Sequence, residues 1–330
     1  DYGINIDYVY ITLLFKKQLV IKENKLFEDL FINSKNAYTF KSKEDLLLKF
    51  KKIVNNRVAN LTDVAYFLIK DNTFDEIIKK YNDPEYMKIF NDKIKFNERF
   101  NKYLKRDWLE LTGNNKKEFA KFCEKHPKFV AKPTKESCGK GVEIIDSTDK
   151  KIYDLYNELY NNKQILVEEI AVQCKKLSDL HPDSINTLRV VTLKGTVVTA
   201  LLRIGNNHNN VDNFNHEGLC VPIDIEDGIV KYQAIDKKGN LYEKHPITKK
   251  EIVGFKVPKW NEVKKICEQA ALEIPQVGYI GWDVCVTKDD ICFIEANEFP
   301  GHDLYGLPPH RTNNIGLLPK FQEAMKKEIK

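Results

Sequence analysis

The sequence has few of the features expected of an exported, membrane-spanning or zinc-binding protein. Its seven cysteines form no CxxC pair and no Cys/His cluster with the spacing of a zinc site. The longest apolar stretch near the start, from Tyr8 to Phe15, is far shorter than the roughly 20 residues of a membrane-spanning helix, and two lysines follow it at once. We therefore expect reduced thiols, a cytoplasmic location, no signal peptide and no membrane insertion.

A strong charge imbalance is also missing. Lys and Arg number 53 against 48 Asp and Glu, so a net charge of +5 is spread over 330 residues. Proteins that bind duplex nucleic acid usually concentrate positive charge on one face, whereas acidic residues are interleaved throughout this chain. With 42% hydrophobic and 31% charged residues, the composition is that of an ordinary globular protein. We expect no nucleic-acid partner, and the oligomeric state stays open.

The pattern of the sequence changes near residue 90. Apolar spacing predicts helices over 1–90, and Asp83-Pro84 begins a helical stretch that breaks near Asn91. Short strands and helices follow, among them strands at 219–224 and 229–235, and Lys194-Gly195 has the composition of a hairpin turn. Adjacent hairpins predict an α+β fold with mainly antiparallel sheets. We divide the chain into 1–90, 91–170 and 171–330.

The segment over 279–303 is the most informative. If Lys288–Asp290 form a three-residue turn, Asp283 lies directly opposite Glu295, and Asn297 points to the same face as Glu295. Two carboxylates and an amide then converge, which suits Mg²⁺ bound together with substrate phosphates. This prediction depends on the register of the hairpin. The alternative is a solvated strand face that carries ordinary acids.

Two further segments suggest phosphate and nucleoside contacts. In 128–146 a strand delivers Lys132, and Gly139 and Gly141 follow in a polar loop, where glycines let backbone N–H groups approach phosphate oxygens. The loop lacks the P-loop pattern, and by itself it is more typical of a flexible turn than of a phosphate site. The strand over 164–170 ends in adjacent acids that could contact a base or ribose or simply reach solvent.

Two arginines lie in predicted apolar strands of a chain that has only six. Arg189 and Arg203 must be paired there, and a guanidinium suits phosphate or carboxylate. Pairing about the Lys194-Gly195 turn places them well apart, so we expect them to contact different groups. The alternative is two structural ion pairs.

Together these segments resemble the ATP-grasp superfamily of ATP-dependent carboxylate–amine ligases, and most of all the sugar-transfer-associated ATP-grasp family. The resemblance covers about 85–305 and rests on motifs in order, among them Asp92-Lys93, VAKP, SCGKGVEIID, SINTLRVVTL, VDNFNHEG, YIGWDV and IEANEFPGHDL. It implies two α+β subdomains that clasp ATP, the first (91–170) with a phosphate loop and the second (171–330) with the Mg²⁺ and catalytic site.

The resemblance also implies roles for individual residues. Phosphate contacts would come from Lys93, Lys132 and the loop residues Ser137, Gly139, Lys140 and Gly141, and adenine and ribose contacts from Glu168, Glu169 and Ile170. Two Mg²⁺ ions would be held by Asp283, Glu295 and Asn297, and catalysis would use Arg189, Arg203 and His302. One position departs from the pattern, because D-alanine ligase relatives carry arginine where this chain has Gly281. Its role would pass to Arg189 or Arg203.

The implied function is an ADP-forming ligase that works through an acyl phosphate. Its partners would be a small carboxylate and an amine, derived from sugars or amino acids, in the synthesis of surface or capsule polysaccharide. Two alternatives remain open: an ATP-grasp kinase that phosphorylates a small molecule, and a non-catalytic nucleotide-binding module. Only the identity of the product separates the ligase from the kinase.

Overall fold

The computed structural model describes residues 73–136, 140–206, 217–300, 304, 310 and 317–327. Most of the predicted helical region 1–90 lies outside these residues, as do Ser137, Gly139 and His302. Among the described residues, no helix is both long enough and apolar enough to cross a membrane. The division of the chain at residues 90 and 170 stays a prediction.

From residue 73 onward, four helices precede the sheets: α1 Thr73–Tyr81, α2 Pro84–Met87, α3 Lys93–Arg99 and α4 Asn101–Leu104. The break predicted near Asn91 is present because α3 has its own N-cap. The side chain of Asp92 accepts hydrogen bonds from the backbone N–H groups of Ile94 and Lys95 at 3.0 and 3.4 Å. This cap places Lys93 at the first position of α3.

A four-stranded antiparallel sheet comes next, in the order β1-β4-β2-β3. Its strands are β1 Trp108–Glu110, β2 Lys128–Lys132, β3 Glu143–Asp146 and β4 Leu166–Glu169, and its helices are α5 Lys116–Lys125 and α6 Ile152–Asn161. Phe129 and Ala131 of β2 are fully buried in the core formed with the two helices. Because side chains alternate along a strand, Val130 and Lys132 lie on the opposite face.

The second sheet has seven antiparallel strands in the order β11-β10-β5-β6-β7-β8-β9. The strands are β5 Leu188–Leu193, β6 Thr196–Ile204, β7 Leu219–Pro222, β8 Ala234–Ile235, β9 Leu241–Tyr242, β10 Tyr279–Val286 and β11 Ile291–Asn297. The remaining helices are α7 Lys175–Ser178, α8 Trp260–Leu272 and α9 Leu318–Lys326. The predicted α+β class with antiparallel sheets is therefore confirmed.

Hydrophobic clusters cover both faces of the central strands in this sheet. On one face Trp282 packs against Phe100 and Phe293, with ring centroids 5.3 and 5.1 Å apart. On the other face Tyr279 packs against Phe321 of α9 at 5.8 Å. Asp283 lies four residues from Tyr279 and therefore on the face of Tyr279.

Not every predicted element has its predicted length. The strand predicted over 229–235 is wrong in extent, because only Ala234–Ile235 is a strand and residues 229 and 230 make isolated bridges. The sequence analysis also missed β1 and α9. The turn at Lys194-Gly195 is confirmed, with both residues in the left-handed region at φ 51° and 72°.

Candidate functional site

The strands β10 and β11 bring the two predicted metal carboxylates together. Asp283 lies directly opposite Glu295, and Asn297 lies opposite Gly281. The predicted turn is wrong, however, because Val286 pairs with Ile291 and four residues, not three, form the tip. An extra residue in β11, Ile294, forms a β-bulge between the tip and the site. The bulge shifts the register by one residue and so restores the predicted pairing.

Asp283 is buried, with 2% of its surface exposed, and is held by two arginines. Arg189 donates from Nε to Oδ1 at 2.5 Å and from Nη2 to Oδ2 at 2.9 Å, while Arg203 Nη1 donates to Oδ2 at 3.2 Å. Burial alone would raise the pKa of Asp283, but the two guanidinium charges outweigh it and lower the pKa below its usual value. Asp283 is therefore an anion in the folded protein.

The expectation that Arg189 and Arg203 contact different groups is wrong. A second bulge, at Val198 of β6, places Leu201 and not Ala200 opposite Arg189. Arg203, two residues beyond Leu201, then points to the same face as Arg189. Without the bulge it would point to the opposite face. The two arginines therefore meet on one carboxylate.

Glu295 behaves differently from Asp283 although the two are neighbours. Burial raises its pKa most, and the charge of Asp283 raises it further, against the opposing charges of Lys93 and Lys132. Its carboxyl group is hydrogen-bonded to Asp283. The three arginine donors and this one hydrogen bond account for the four lone pairs of the Asp283 carboxylate. A cation that binds here would therefore replace the hydrogen bond between the two carboxyl groups.

The donor set fits a hard divalent cation. Two carboxylates and one amide oxygen are ligands that Mg²⁺ accepts, with substrate oxygens and water completing its shell. Nδ2 of Asn297 is buried and makes no hydrogen bond within the described part of the chain. Buried polar groups are rarely left unpaired, so this N–H donor is typical of a site that binds a further group with acceptor oxygens beside the cation.

Two lysines lie beside the carboxylates. Lys132 Nζ is 2.5 Å from Oε2 of Glu168, and Lys93 Nζ donates to the carbonyl oxygen of Glu136 at the start of the predicted phosphate loop. Burial lowers the pKa of Lys93, the charge of Glu295 opposes that change, and the neighbouring charge of Lys132 reinforces it. The charges of Lys93, Lys132 and Glu295 therefore influence one another, and the contact of the two lysines with phosphate stays a prediction.

Glu168 lies in a buried polar cluster, where both of its carboxylate oxygens have partners. It accepts from Asn97 Nδ2 at 2.7 Å and from Arg106 Nη2 at 3.1 Å, in addition to Lys132. Burial alone would raise the pKa of Glu168, yet the charges of Arg106 and Lys132 lower it to about 2. Sequence reasoning missed Arg106, although the scarcity of arginine in this chain was a signal that could have found it.

The other predicted nucleotide contacts lie around an open apolar face of the small sheet. Val130 pairs with Ile144, whose surface is 53% exposed, and both share a face with Glu168. Glu169 accepts from the backbone N–H of Asp107 at 3.0 Å, and Ile170 follows at the strand end, half-buried.

The described part of the predicted phosphate loop closes against the small sheet. Lys140 is exposed, and its Nζ lies 3.3 Å from Glu136. Gly141 adopts φ 72°, and its carbonyl oxygen accepts from Gln164 Nε2 at 3.1 Å. The exposed apolar surface of Val130 and Ile144 lies on the same face as Lys132. Such a surface beside a cationic group suits a planar base that carries phosphates.

Cationic side chains surround the carboxyl groups of the site. Those around Glu168, Asp283 and Glu295 are Lys93, Lys132, Arg106, Arg189 and Arg203. Clustered positive charge of this kind favours an anionic ligand.

Comparison with known proteins gives a family and a set of similar structures. The family described as sugar-transfer associated ATP-grasp matches residues 72–323. The ATP-grasp ligase PsnB complexed with minimal precursor is 15% identical, with a TM-score of 0.41 over 66% of this chain and 56% of that one. The D-alanine--D-alanine ligase from Bacillus anthracis complexed with ATP is 15% identical, with a TM-score of 0.43 over 72% and 66%.

A third similar structure is the ADP complex of purK, N5-carboxyaminoimidazole ribonucleotide synthetase, which is 12% identical with a TM-score of 0.39 over 64% and 45%. The chain thus covers 56% of the length of PsnB in the first of these structures and 45% of the length of purK. A search of curated proteins gave no match.

Proposed function

The chain belongs to the sugar-transfer associated ATP-grasp family, and on that basis we propose that it is an ATP- and Mg²⁺-dependent ligase that joins a carboxylate to an amine. The observation that carries this proposal is the convergence of Asp283, Glu295 and Asn297 at one end of the β10–β11 pair. Lysines and arginines surround this point, as a triphosphate with its metal requires.

The proposed chemistry begins with phosphoryl transfer to the carboxylate. A carboxylate is a poor acyl donor, and ATP converts it into an acyl phosphate that an amine attacks, with release of ADP and phosphate. Bound Mg²⁺ would neutralise charge on the β- and γ-phosphates. The protein's part is positioning and electrostatic stabilisation, because phosphoryl transfer needs little covalent help from side chains.

The described residues divide this work. Lys93 and Lys132 would contact phosphate oxygens from the N-terminus of α3 and the end of β2. Arg189 and Arg203 hold Asp283 as an anion, and their charge lies where the transferring phosphoryl group would be. The face formed by Val130 and Ile144 would take the adenine.

The finer assignment concerns the substrates. We propose a sugar acid or amino acid as the carboxylate and an amine of the same origin, used in the synthesis of surface or capsule polysaccharide. The family's description as sugar-transfer associated supports this class. We also propose two Mg²⁺ ions, the number that the family resemblance implies, held by Asp283, Glu295 and Asn297 together with the phosphate oxygens.

The proposed function is tested by trapping the acyl phosphate. Hydroxylamine, ATP, Mg²⁺ and a panel of sugar acids and amino acids should give a hydroxamate and ADP in equal amounts. Glu295→Gln should abolish both products, and Asp289→Asn at the exposed tip of the same hairpin should leave them unchanged. A phosphorylated product without hydroxamate would instead show a kinase, and a failure to form ADP with any substrate would favour a binding module.

A further inference from the structure

Arg106 lies between the two sheets, with 4% of its side chain exposed. It lies two residues before β1, yet its guanidinium contacts β11. Its donors are taken up by the carbonyl oxygens of Leu104, Phe293 and Ile294, by Sγ of Cys292 and by Oε1 of Glu168. A buried arginine with this many partners holds two parts of a structure in one arrangement.

Two of these partners belong to the bulge that places Glu295. Ile294 is the extra residue of β11, and Phe293 precedes it. A bulge disrupts the ladder locally, and buried carbonyl groups need a donor from elsewhere. Arg106 supplies it: Nη1 donates to Phe293 O, and Nη2 donates to Ile294 O at 3.3 Å.

Glu168 fixes the guanidinium in the orientation that reaches the bulge. Its Oε1 accepts from Arg106 at 3.1 Å and from Asn97 at 2.7 Å, while Oε2 accepts from Lys132 at 2.5 Å. One carboxylate therefore positions both a candidate phosphate ligand and the group that supports the metal strand.

We propose that Arg106 is a positioning residue for the metal carboxylates: it stabilises the bulge at Ile294 and thereby sets where Glu295 meets Asp283. The inference rests on the proposed function, since it assigns Arg106 to the same metal site. Arg106 contacts neither metal nor substrate. Its replacement should weaken Mg²⁺ binding much more than metal-free nucleotide binding, because Lys93 and Lys132 remain in place.

The test measures two affinities by calorimetry at 10 °C with a non-hydrolysable ATP analogue. Mg²⁺ is titrated into protein saturated with the analogue, and the analogue is titrated without Mg²⁺. For Arg106→Lys, which cannot bridge two carbonyls and Glu168 at once, we expect Mg²⁺ affinity to fall about 10-fold or more, as is usual when a group supporting metal ligands is lost. Affinity for the metal-free analogue should change less than about 3-fold, because no phosphate contact is removed.

The control is Arg99→Lys, at an exposed arginine that also donates to a carbonyl, that of Glu273. It should leave both affinities unchanged. A second variant, Arg106→Gln, is shorter than Arg106→Lys and also loses the charge that pairs with Glu168, so it should lower Mg²⁺ affinity at least as far as Arg106→Lys.

The outcomes separate this inference from the proposed function. Absence of Mg²⁺-dependent analogue binding in wild type overturns both. Binding in wild type with equal Mg²⁺ affinity in Arg106→Lys overturns the role of Arg106 alone. Failure of both Arg106 variants to fold shows that the residue serves the fold and not the metal, and overturns the inference as well.

Discussion

The side chain of Arg189 passes directly over Gly281 on the neighbouring strand. A Cβ at position 281 would lie 3.2 Å from Cδ of Arg189 and 2.7 Å from Cβ of Pro300, whose carbonyl oxygen accepts from Arg189 Nη1 at 2.7 Å. Glycine at this position therefore makes room for an arginine that comes from β5. The position that departs from the D-alanine ligase pattern and the arginine that could replace it are in contact.

Gly281→Ala should displace Arg189 or Pro300 and weaken the hydrogen bonds between Arg189 and Asp283. Overpacking a buried position costs about 1–3 kcal/mol, so the free energy of unfolding in urea should fall by that amount. Mg²⁺-dependent nucleotide affinity should fall with it. Gly254→Ala is the matched control, because the backbone there has φ 83° and a Cβ would have nothing within 4 Å. It should lower stability through backbone strain and leave the affinity unchanged.

The two metal carboxylates should respond oppositely to neutralisation in metal-free buffer at pH 7.5. Asp283→Asn leaves Arg189 and Arg203 buried without their anion, which costs about 3 kcal/mol or more. Glu295→Gln removes a charge that the folded state disfavours, as its raised pKa shows, and should be neutral or stabilising. Urea denaturation with a chelator present measures both. Equal losses of stability would contradict the charge assignment.

The raised pKa of Glu295 also determines how the stability of the folded protein should change with pH. A carboxyl group with a folded-state pKa above its unfolded value contributes stability that is complete below the unfolded pKa and is lost as pH rises through the folded pKa. Metal-free wild type should therefore lose stability over that range, and Glu295→Gln should lose less. Saturating Mg²⁺ should remove the difference, because a bound cation offsets the charge of the ionised Glu295 carboxylate. Thermal denaturation across pH with and without Mg²⁺ checks this.

Glu168 should give the opposite dependence of stability on pH, in the acidic range, because its pKa is lowered and not raised. Its pKa is lowered to about 2 from an ordinary value of 4.5, so its contribution is present above the ordinary value and is lost as pH falls toward 2. We expect wild-type stability to decline over this range more steeply than that of Glu168→Gln. The variant should already be less stable at neutral pH, because Arg106 and Lys132 lose their shared partner.

The class of the fold and the meeting of Asp283 with Glu295 could be predicted because alternation and pairing are local properties of a hairpin. The length of the tip turn could not be predicted. The turn has one more residue than expected, and the bulge at Ile294 compensates for it, so the alternation of apolar and polar residues at the site is the same in both cases. The bulge at Val198 hid the meeting of Arg189 and Arg203 in the same way. Arg106 was missed because its partners, Glu168 and the β11 carbonyls, are distant in sequence and lie in different sheets.

The bulge at Ile294 separates the geometry of the carboxylates from that of the hairpin tip. Pairing beyond the bulge follows one register and pairing at Asp283 another, so no uninterrupted ladder joins Thr287–Asp290 to the site. The tip is also exposed at positions 288–290. It is therefore a suitable place to insert an epitope or a fluorescent label that follows nucleotide binding while the metal ligands stay where they are.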